Sequence, residues 1–400
     1  MTLATTSRAQ LRYIKETTFG TVPVAGNPNN LRMTGESLDF AVTSELSKEI
    51  RSDRQKTDLV LVGAQSSGGV NFELSYNEFD ALIEAALQGT WAVYGTSGVS
   101  GTVFSGTFTA TTLTAAVAPT GADAFTTLQK GQWFKMTAPT DPNDGKYFKV
   151  SESVSPTTTV ITLDALTPAT ASGPTANCKI ATSRLVNGTT QNSFTVERAF
   201  EDVSQFFAFR GMTASKFSLS FASGAIVTGA VDFMGKDAVR NNATQLPGTP
   251  VASHTYDVMN AVSGVGEILE GGAAITGTFI KSLSFDSDNK LRGRSAIGTL
   301  GNVSIGSGTL EVKGTMEVYL ADGTLYDKFL NNTASSLSLR ATDGAGNGYV
   351  ITFPKMKYSD AKVNAGGEDQ DAMLSLPFTA LMDPTTGKTI LVDRVGVAVV

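Results

Sequence analysis

Two stretches of the chain resemble each other, because they carry similar motifs in the same order and at nearly equal spacing. Each stretch begins with a short strand-like motif, passes through a basic loop, and reaches a second apolar strand followed by a helical segment. The matched segments are 37–40 with 282–285, 72–76 with 316–320, 209–212 with 353–356, and 230–233 with 376–379. Repetition at fixed spacing is the signature of duplicated structural units. The sequence therefore predicts two copies of one β-rich fold rather than a single large domain.

A segment of the first copy has no counterpart in the second. Residues 97–186 separate two matched strands of copy one, whereas copy two continues directly. Inside the segment, Thr/Ala/Gly-rich runs alternate with turns, and the sequence DPNDG at 141–145 is a strong hairpin signal because proline fixes φ and glycine accepts positive φ. We expect a small all-β module that projects from the duplicated body.

These observations predict a division of the chain into six parts. They are an N-terminal arm with the first strands (1–36), copy one (37–96 and 187–240), the inserted outward-facing module (97–186), a linker (241–278), copy two (279–383), and a C-terminal strand or arm (384–400).

Composition supports a mainly β fold. The 400 residues exceed a typical single core, and 41% hydrophobic with 17% charged residues indicates a folded chain. The 40 glycines between short alternating runs favour sandwiches or barrels. An apolar stripe predicts one helix per copy, at 78–88, capped by Asn77 and ended by Gly89, and at 324–331. The expected fold class is a duplicated β-sandwich or barrel, each copy with one short flanking helix, plus the small inserted β module.

Residues that usually perform catalysis are scarce. His254 is the one histidine and Cys178 the one cysteine, so neither has a second His or Cys with which to share a metal or build a nucleophile. The glycine clusters lack the strand-to-helix context and the lysine of a phosphate-binding loop. We predict no catalytic residue, no cofactor, no metal site and no enzyme activity. The lone cysteine suits assembly in a reducing cytoplasm, and no apolar run is long enough for a membrane span.

The densest charge cluster lies at 44–58 and mixes both signs. The charged residues that we select from it are Lys48, Glu49, Arg51, Asp53, Arg54 and Lys56, and the matching loop of copy two keeps Arg292 and Arg294. A nucleic-acid patch would be predominantly basic with interleaved aromatics, and this loop is neither. An exposed hairpin and a loop that docks on another subunit are both compatible with the pattern. Its repetition in copy two strengthens the docking interpretation.

Several segments together resemble a known family. They are LRYIKETTFGTVP at 11–23, LRMTGESL at 31–38, EIRSDRQ at 49–55, and VNFELSY at 70–76 with the helix that follows it. These segments resemble the tail tube (major tail) protein of long-tailed, non-contractile bacteriophages, and within it the flagellum-attaching siphophage branch. The likeness covers the first ninety residues or so and 193–237; over copy two it rests on the internal match.

The resemblance implies a structural role in the virion tail. Proteins of this family have a β-sandwich flanked by a helix, and their inner strands join across subunits into a barrel around a lumen, six folds to a ring. A duplicated chain would supply two folds, so a ring of three chains with pseudo-six-fold symmetry is expected, with a simple hexamer as the alternative. The likeness also implies a tape-measure protein and a tail terminator as partners, assembly in the host cytoplasm, and passage of DNA through the lumen without specific binding.

Charge and chain termini add two further expectations. The formal charge of −6 would make stacked rings an acidic conduit that repels phosphates. Glu73 and Glu317, each flanked by apolar neighbours on a strand, are our candidates for lumen-facing residues. The terminal segments 2–10 and 389–400 are expected to cross to a neighbouring ring or subunit, and so is the charged loop, which becomes our candidate ring-stacking loop. Deletion of 393–400 should then leave a folded protein unable to polymerise.

One alternative function is a β-sandwich adhesin or carbohydrate-binding module. Such a site needs exposed aromatic residues, and the inserted module offers Trp133, Phe134, Tyr147 and Phe148. Because they alternate along strands, we expect them to belong to a core instead. A hydrolase on a β scaffold is disfavoured by the missing catalytic set.

Overall fold

The computed structural model describes residues 3–262, 268–275 and 277–396. Strands dominate these residues, which confirms the prediction of a mainly β sandwich or barrel fold. The described strands are β1 (Gln10–Lys15), β2 (Asn29–Leu31), β3 (Gly35–Glu36), β4 (Asp39–Leu46), β5 (Leu59–Glu73), β6 (Ala92–Val93), β7 (Phe104–Phe108), β8 (Thr112–Ala115), β9 (Trp133–Thr137), β10 (Tyr147–Lys149), β11 (Val160–Thr162), β12 (Ser172–Ala181), β13 (Ser183–Val186), β14 (Ser193–Phe200), β15 (Gln205–Ala222), β16 (Thr228–Met234), β17 (Asp237–Asn241), β18 (Leu269–Glu270), β19 (Ala273–Ala274), β20 (Ile280–Asp288), β21 (Arg292–Arg294), β22 (Ser304–Gly306), β23 (Glu311–Tyr319), β24 (Ser335–Thr342), β25 (Gly348–Tyr358), β26 (Lys362–Asn364), β27 (Met373–Ala380) and β28 (Leu391–Val395). The helices are α1 (Asp80–Ala86) and α2 (Thr324–Leu330), with 3-10 turns at Thr6–Arg8, Gly121–Asp123, Phe125–Thr127 and Glu201–Val203.

One antiparallel sheet runs through both halves of the chain. Its strands pair in the order β4–β5–β16–β15–β20–β23–β27, and β26 pairs along the far side of β27. Side chains alternate along each strand, as in β27, where Leu374, Leu376 and Phe378 are buried and the residues between them are half-buried. One face of this continuous sheet therefore belongs to the core, and the opposite face is polar.

A second layer covers the apolar face. In the first half it contains β2–β1–β14 and the beginning of β15, and in the second half it contains β18–β24–β25–β28–β13. Helix α1 adds Leu82, Ile83 and Ala86 to the same core, and α2 adds Leu325. The buried side chains of both halves form one hydrophobic cluster, so the two halves share a core.

The two halves repeat the same irregularities. The β14–β15 ladder shifts register beside Met212, and the β24–β25 ladder shifts beside Met356. A second register shift follows in each half. The β15–β16 ladder shifts after Ala214, and the pairing of β25 and then β26 with β27 shifts after Tyr358. Bulges bend the strand that carries them. They let β15, and β25 with β26, pass from the outer layer into the continuous sheet at matching points of the two halves.

The inserted segment forms its own six-stranded sheet, in the order β10–β9–β12–β7–β8–β11. The DPNDG turn joins β9 to β10 as predicted, and Phe134 and Phe148 face the module's own core. The opposite side of these strands rests on the second half of the chain. Tyr147 Oη donates to the carbonyl of Gly346 at 2.6 Å, and Trp133 packs with Val350. The module is therefore docked on the body rather than attached only by its ends.

The C-terminal strand lies inside its own chain, contrary to the expectation that 389–400 crosses to a neighbour. β28 pairs with β13 on one side and with β25 on the other. Asp393 is fully buried and makes a two-pronged ion pair with Arg184, at 2.6 and 2.7 Å, while accepting the backbone N–H of Trp133 at 3.0 Å. Residues 397–400 lie outside the described part of the chain, as do Met1 and Thr2 of the N-terminal segment.

The predicted helices are present, but their ends differ from the prediction. Asn77 does not cap α1: it has φ of +64°, and its backbone N–H donates to Tyr349 Oη at 2.9 Å. Residue 79 occupies the cap position without a side-chain bond, and Gln88, not Gly89, takes the left-handed conformation after the helix. Asn77 instead helps to hold Arg394 of β28, whose guanidinium also contacts Asp80 at 2.5 Å. Tertiary contacts between the halves thus replace the local cap.

Candidate assembly surface

The polar face of the continuous sheet carries hydroxyl and charged side chains from successive strands. Cross-strand partners share a face, so the ladders show which residues lie together. The acidic residues are Asp39, Glu73, Asp232, Asp286, Asp288, Glu311 and Glu317, and the basic ones are Lys216, Lys290, Lys313, Lys357 and Lys362. Acidic groups therefore outnumber basic groups on this face.

Both glutamates selected from the sequence lie on the polar face. Glu73 is half-buried at the end of β5, opposite Thr228, and points away from the buried Phe72. Glu317 is half-buried on β23 and accepts a hydrogen bond from Ser282 Oγ at 3.1 Å. The alternation argument placed both side chains on the side of the sheet opposite the core.

A charge network crosses the polar face where the two halves meet. Lys290 Nζ lies 3.0 Å from Asp288 Oδ2 and 2.8 Å from Glu311 Oε2, and Lys313 contacts the other oxygen of Glu311. Hydrogen bonds from Lys290 and then Lys313 lower the pKa of Glu311 to about 2. Lys216 of β15 lies 3.7 Å from Asp288 of β20, so the network spans the junction of the halves.

The charged loop forms the exposed tip of a long hairpin made by β4 and β5. Residues 47–58, which we call the charged tip, carry the predicted stacking residues Lys48, Glu49, Arg51, Asp53, Arg54 and Lys56, all of them exposed. Arg51 pairs with Asp53 at 2.9 Å, and Lys56 donates to the carbonyl of Ser47 at 3.1 Å. Arg292 and Arg294 occupy the matching segment of the second half, on the exposed strand β21.

Below its charged tip, the same hairpin exposes large apolar side chains on both faces. Val42 and Leu46 of β4 and the run Leu59, Val60, Leu61 and Val62 of β5 are each about half-exposed or more. Strands that are apolar on both sides are typical of sheets covered on both faces. Within the chain, nothing among the described residues covers this part of the hairpin.

The corresponding segment of the second half is covered. Residues 289–310, between β20 and β23, fold back onto the first half. Asn289 Nδ2 donates to the carbonyls of Ala86 and Ala214 at 2.7 and 3.1 Å, and Asn302 Nδ2 donates to that of Gly235 at 3.0 Å. Both asparagines are buried. The sequence analysis did not single out these residues; the signal that could have found them is amide side chains inside a loop otherwise rich in glycine and serine.

The continuous sheet ends in two unpaired borders. In the part of the chain that the structure describes, β4 pairs with β5 alone and β26 pairs with β27 alone. All three residues of β26 are exposed, and so is most of β4. Unpaired strand borders are templates for pairing with another chain.

The residues considered for chemistry have structural contacts. The backbone N–H of His254 donates to Glu78 Oε2 at 2.8 Å, and its ring lies 3.1 Å from Asn77 Nδ2. Cys178 is buried in the module core, and burial raises the pKa of its thiol. Within the described ranges, no group of three or more His, Cys, Asp or Glu side chains is arranged to hold a metal ion. Nor does any described helix have the length and apolar character needed to cross a membrane.

The aromatic residues that a carbohydrate site would need are engaged inside the chain. Trp133, Phe134 and Phe148 are buried, and the ring of Tyr147 lies 4.2 Å from the guanidinium of Arg340. Phe134 and Phe148 fill the module core, whereas Trp133 and Tyr147 dock the module on the second half. The prediction that these aromatics serve packing agrees with their positions.

Two unpaired borders, an apolar hairpin with no cover and a polar sheet face define the class of self-assembling β-sheet structural proteins. The chain belongs to the phage tail tube protein family, whose model matches residues 6–380. This is a structural family of the virion tail, and membership implies assembly into multimeric tube rings. The family resemblance drawn from the sequence is confirmed at this level. No curated protein matches the chain.

Proposed function

We propose that this chain is the ring subunit of the tail tube of a long-tailed, non-contractile phage, and that the polar face of its continuous sheet lines the lumen. The observation that carries the proposal is that two similar strand sets already lie side by side in one sheet, joined through β15 and β20. An arrangement that places two units edge to edge can be extended by adding further chains in the same way. The open borders of β4 and β26 are where this extension takes place.

The preferred ring contains three chains. Each chain supplies two units, copy one at 37–96 with 187–240 and copy two at 279–383, so three chains give pseudo-six-fold symmetry if the ring holds six units, as the resemblance implies. A ring of six chains is the alternative. In it, one copy would build the barrel and the other would form an outer layer. The shared sheet favours the three-chain ring, because both copies contribute strands to the same surface.

An acidic lumen suits the transport of DNA to the host cell. Phosphates are repelled by a wall on which acidic groups outnumber basic ones, so the duplex can slide without adhering. Glu73 and Glu317 are our candidates for residues that face the DNA. A tape-measure protein that sets the tube length and a terminator that closes it are the further partners of this role.

The charged tip is positioned to meet the next ring of the stack. Its charged side chains are exposed and carry both signs of charge, and this permits complementary contacts with an adjacent copy. Arg292 and Arg294 would contribute from the second half. We assign stacking to the charged tip and a different intersubunit contact to the apolar part of the hairpin.

Electron microscopy of the purified chain tests the proposal. We expect hollow rings or tubes, and end-on averages with three repeating subunits in each of which two similar lobes are resolved. Averages with six identical subunits would replace the three-chain ring by the hexamer. A protein that remains monomeric at every concentration, or that forms oligomers without a central pore, would contradict the tube role itself.

A further inference from the structure

We infer that the junction inside the chain is the template for the junction between chains, so that β26 of one copy pairs with β4 of the next in a register that the structure fixes. The inference rests on the proposed ring role and names its partner surfaces. The shared bulges fix which residues of the two halves correspond, because Met212 and Met356 lie at the same point of each bulge. Counting onward from each methionine, Leu219 of β15 corresponds to Val363 of β26.

Corresponding positions differ sharply in exposure. Leu219 is 2% exposed because β20 pairs against it, whereas Val363 is 44% exposed on an unpaired border. Ala86 and Leu330 are the last residues of α1 and α2; Ala86 is fully buried below residues 289–310, and Leu330 is 61% exposed. The second half therefore leaves open the surface that the first half has covered.

The missing cover has a counterpart elsewhere in the same chain. Residues 289–310 cover the first half. The matching segment of the first half, residues 42–64, contains the apolar hairpin strands, and nothing among the described residues covers their exposed side chains at 42, 46 and 59–62. The first half therefore has an apolar hairpin that covers nothing, and the second half has an open surface that nothing covers. A second copy of this chain, placed head to tail, supplies each with its partner.

The ladders define the register of the new pairing. Phe233 lies opposite Gly68, and Phe378 opposite Gly314, so these two glycines correspond. Gly314 pairs with Phe285 of β20. In the first half Gly68 lies so close to Leu38 that a Cβ added to the glycine would be 2.7 Å from Leu38 Cα. From this correspondence, Asp39 takes the place of Asp286, and the next residue takes the place of Ser287.

Inside the chain, Asp286 pairs with Ser218 and Ser287 pairs with Phe217. Ser218 and Phe217 correspond to Lys362 and Ala361 of the open border. The template therefore places Asp39 of one chain opposite Lys362 of its neighbour, and Phe40 opposite Ala361. Opposite charges directly across a ladder stabilise the pairing, and Asp39 and Lys362 are both exposed in the single chain.

Cysteine pairs at the border test the register. Opposed residues in a ladder lie about 5.5 Å apart at Cα, a distance that a disulfide spans. We expect the variant with Phe40→Cys and Ala361→Cys to form, on oxidation, covalent multiples of the chain that reducing agent separates. The native Cys178 is buried and does not compete. The matched control carries Ala41→Cys with Ala361→Cys; the slip of one residue turns the thiols to opposite faces, so no cross-link should form.

A charge exchange provides a second test that leaves the core untouched. Asp39→Lys should raise the concentration required for ring formation by about tenfold or more, because it sets two ammonium groups opposite each other across the interface. Combining it with Lys362→Asp should restore assembly towards the level of the natural chain. Failure of the double variant to recover, while both variants remain folded by circular dichroism, would contradict the proposed register.

The outcomes separate this inference from the proposed function. Rings or tubes that form without the Phe40–Ala361 cross-link, or that cross-link equally in the slipped control, overturn the register but leave the tube role standing. Cross-linked chains that never close around a pore support the register and overturn the tube role. A protein that shows neither cross-linking nor rings contradicts both.

Discussion

Glu311 is held between two ammonium groups on the polar face, and its titration reports on the junction between the halves. The contacts with Lys290 and then Lys313 depress its pKa from 4.5 to about 2. A group whose folded-state pKa is lowered stabilises the fold above its unfolded pKa, and the contribution is lost as pH falls through the folded value. The Glu311 contribution should therefore be complete above about pH 4.5 and disappear towards pH 2.

Replacing Lys290 should raise the pKa of Glu311 towards 4.5. Lys290→Met removes the ammonium that lowers the pKa of Glu311 most, while Lys313 remains, so the carboxylate becomes easier to protonate. Carbon-detected NMR titration of the glutamate side chains measures the shift directly. Lys48→Met, in the exposed charged tip, is the matched control and should leave the Glu311 titration unchanged. Equal titration curves for Lys290→Met and the natural chain would show that the network does not persist in solution.

Asp393 is the residue on which the packing of the C-terminal strand depends. Asp393→Asn leaves the buried Arg184 guanidinium without its counter-charge, and loss of one partner of a buried ion pair costs about 3–5 kcal/mol of unfolding free energy. Chemical denaturation monitored by fluorescence measures the loss. Asp53→Asn breaks the exposed pair with Arg51 and should produce no measurable change. Similar midpoints for the two variants would contradict the structural role of Asp393.

At the scale of elements, β28 connects three parts of the chain. It pairs with β13 of the module side and β25 of the second half, and its Arg394 reaches Asp80 of α1 in the first half. Burial and then the neighbouring Asp80 carboxylate raise the pKa of Tyr349, which shares this network. One short strand, β28, therefore joins both halves and the module.

A chain that ends after Ile390 should fail to fold properly, not merely fail to polymerise. Removing β28 opens the β13 and β25 borders and exposes the partners of Asp393 and Arg394. We expect the truncated chain to lose its cooperative thermal transition, and its backbone amides to lose protection from hydrogen exchange over much of the chain. A truncated chain that melts cooperatively near the temperature of the full chain, yet forms no tubes, would restore the original expectation of an intersubunit arm.

The sequence was informative where periodicity and local turn chemistry decide the structure. The alternation in β5 and β23, the DPNDG hairpin and the two helices were predicted correctly in type. The match of Phe72 with Met316 is two residues out of register. It rests on similar residue types, whereas the ladders of the structure align Gly68 with Gly314. The fate of β28 and the covering of the first half by 289–310 depend on long-range pairing, which leaves no periodic signal in one sequence.

Leu61→Ser should weaken assembly while leaving the folded chain intact. Leu61 is 54% exposed on the apolar hairpin, so its loss removes little from the single chain but removes contact area from the proposed covered surface. Sedimentation velocity over a concentration series should show ring formation displaced to higher concentration. Val117→Ser, an equally conservative change at an exposed site of the inserted module, is the control and should assemble normally. Parallel behaviour of the two variants would remove the hairpin from the interface.

For the whole molecule, the consequence of one continuous sheet is that its polar face becomes a single electrostatic surface. Residues of that face come from both halves, including Glu73 of the first and Glu317 of the second. When copies add edge to edge, these positions repeat around the ring and along the stack. The sign of the electrostatic potential at this face is then set by several copies together, because charges that lie within a screening length of one another add.

If the polar face lines the lumen, as proposed, reversing the charge of both glutamates should produce tubes that retain DNA. Glu73→Lys with Glu317→Lys leaves the core untouched, since both side chains are half-buried on the polar face, so tubes should still form. We expect short duplex DNA to sediment with the variant tubes, to resist nuclease, and to be released as salt rises, because counterion release governs such binding. Glu368→Lys with Asp371→Lys makes the same charge change on an exposed loop, and any DNA bound there should remain open to nuclease. Equal nuclease sensitivity in the two variants would show that Glu73 and Glu317 do not face the lumen.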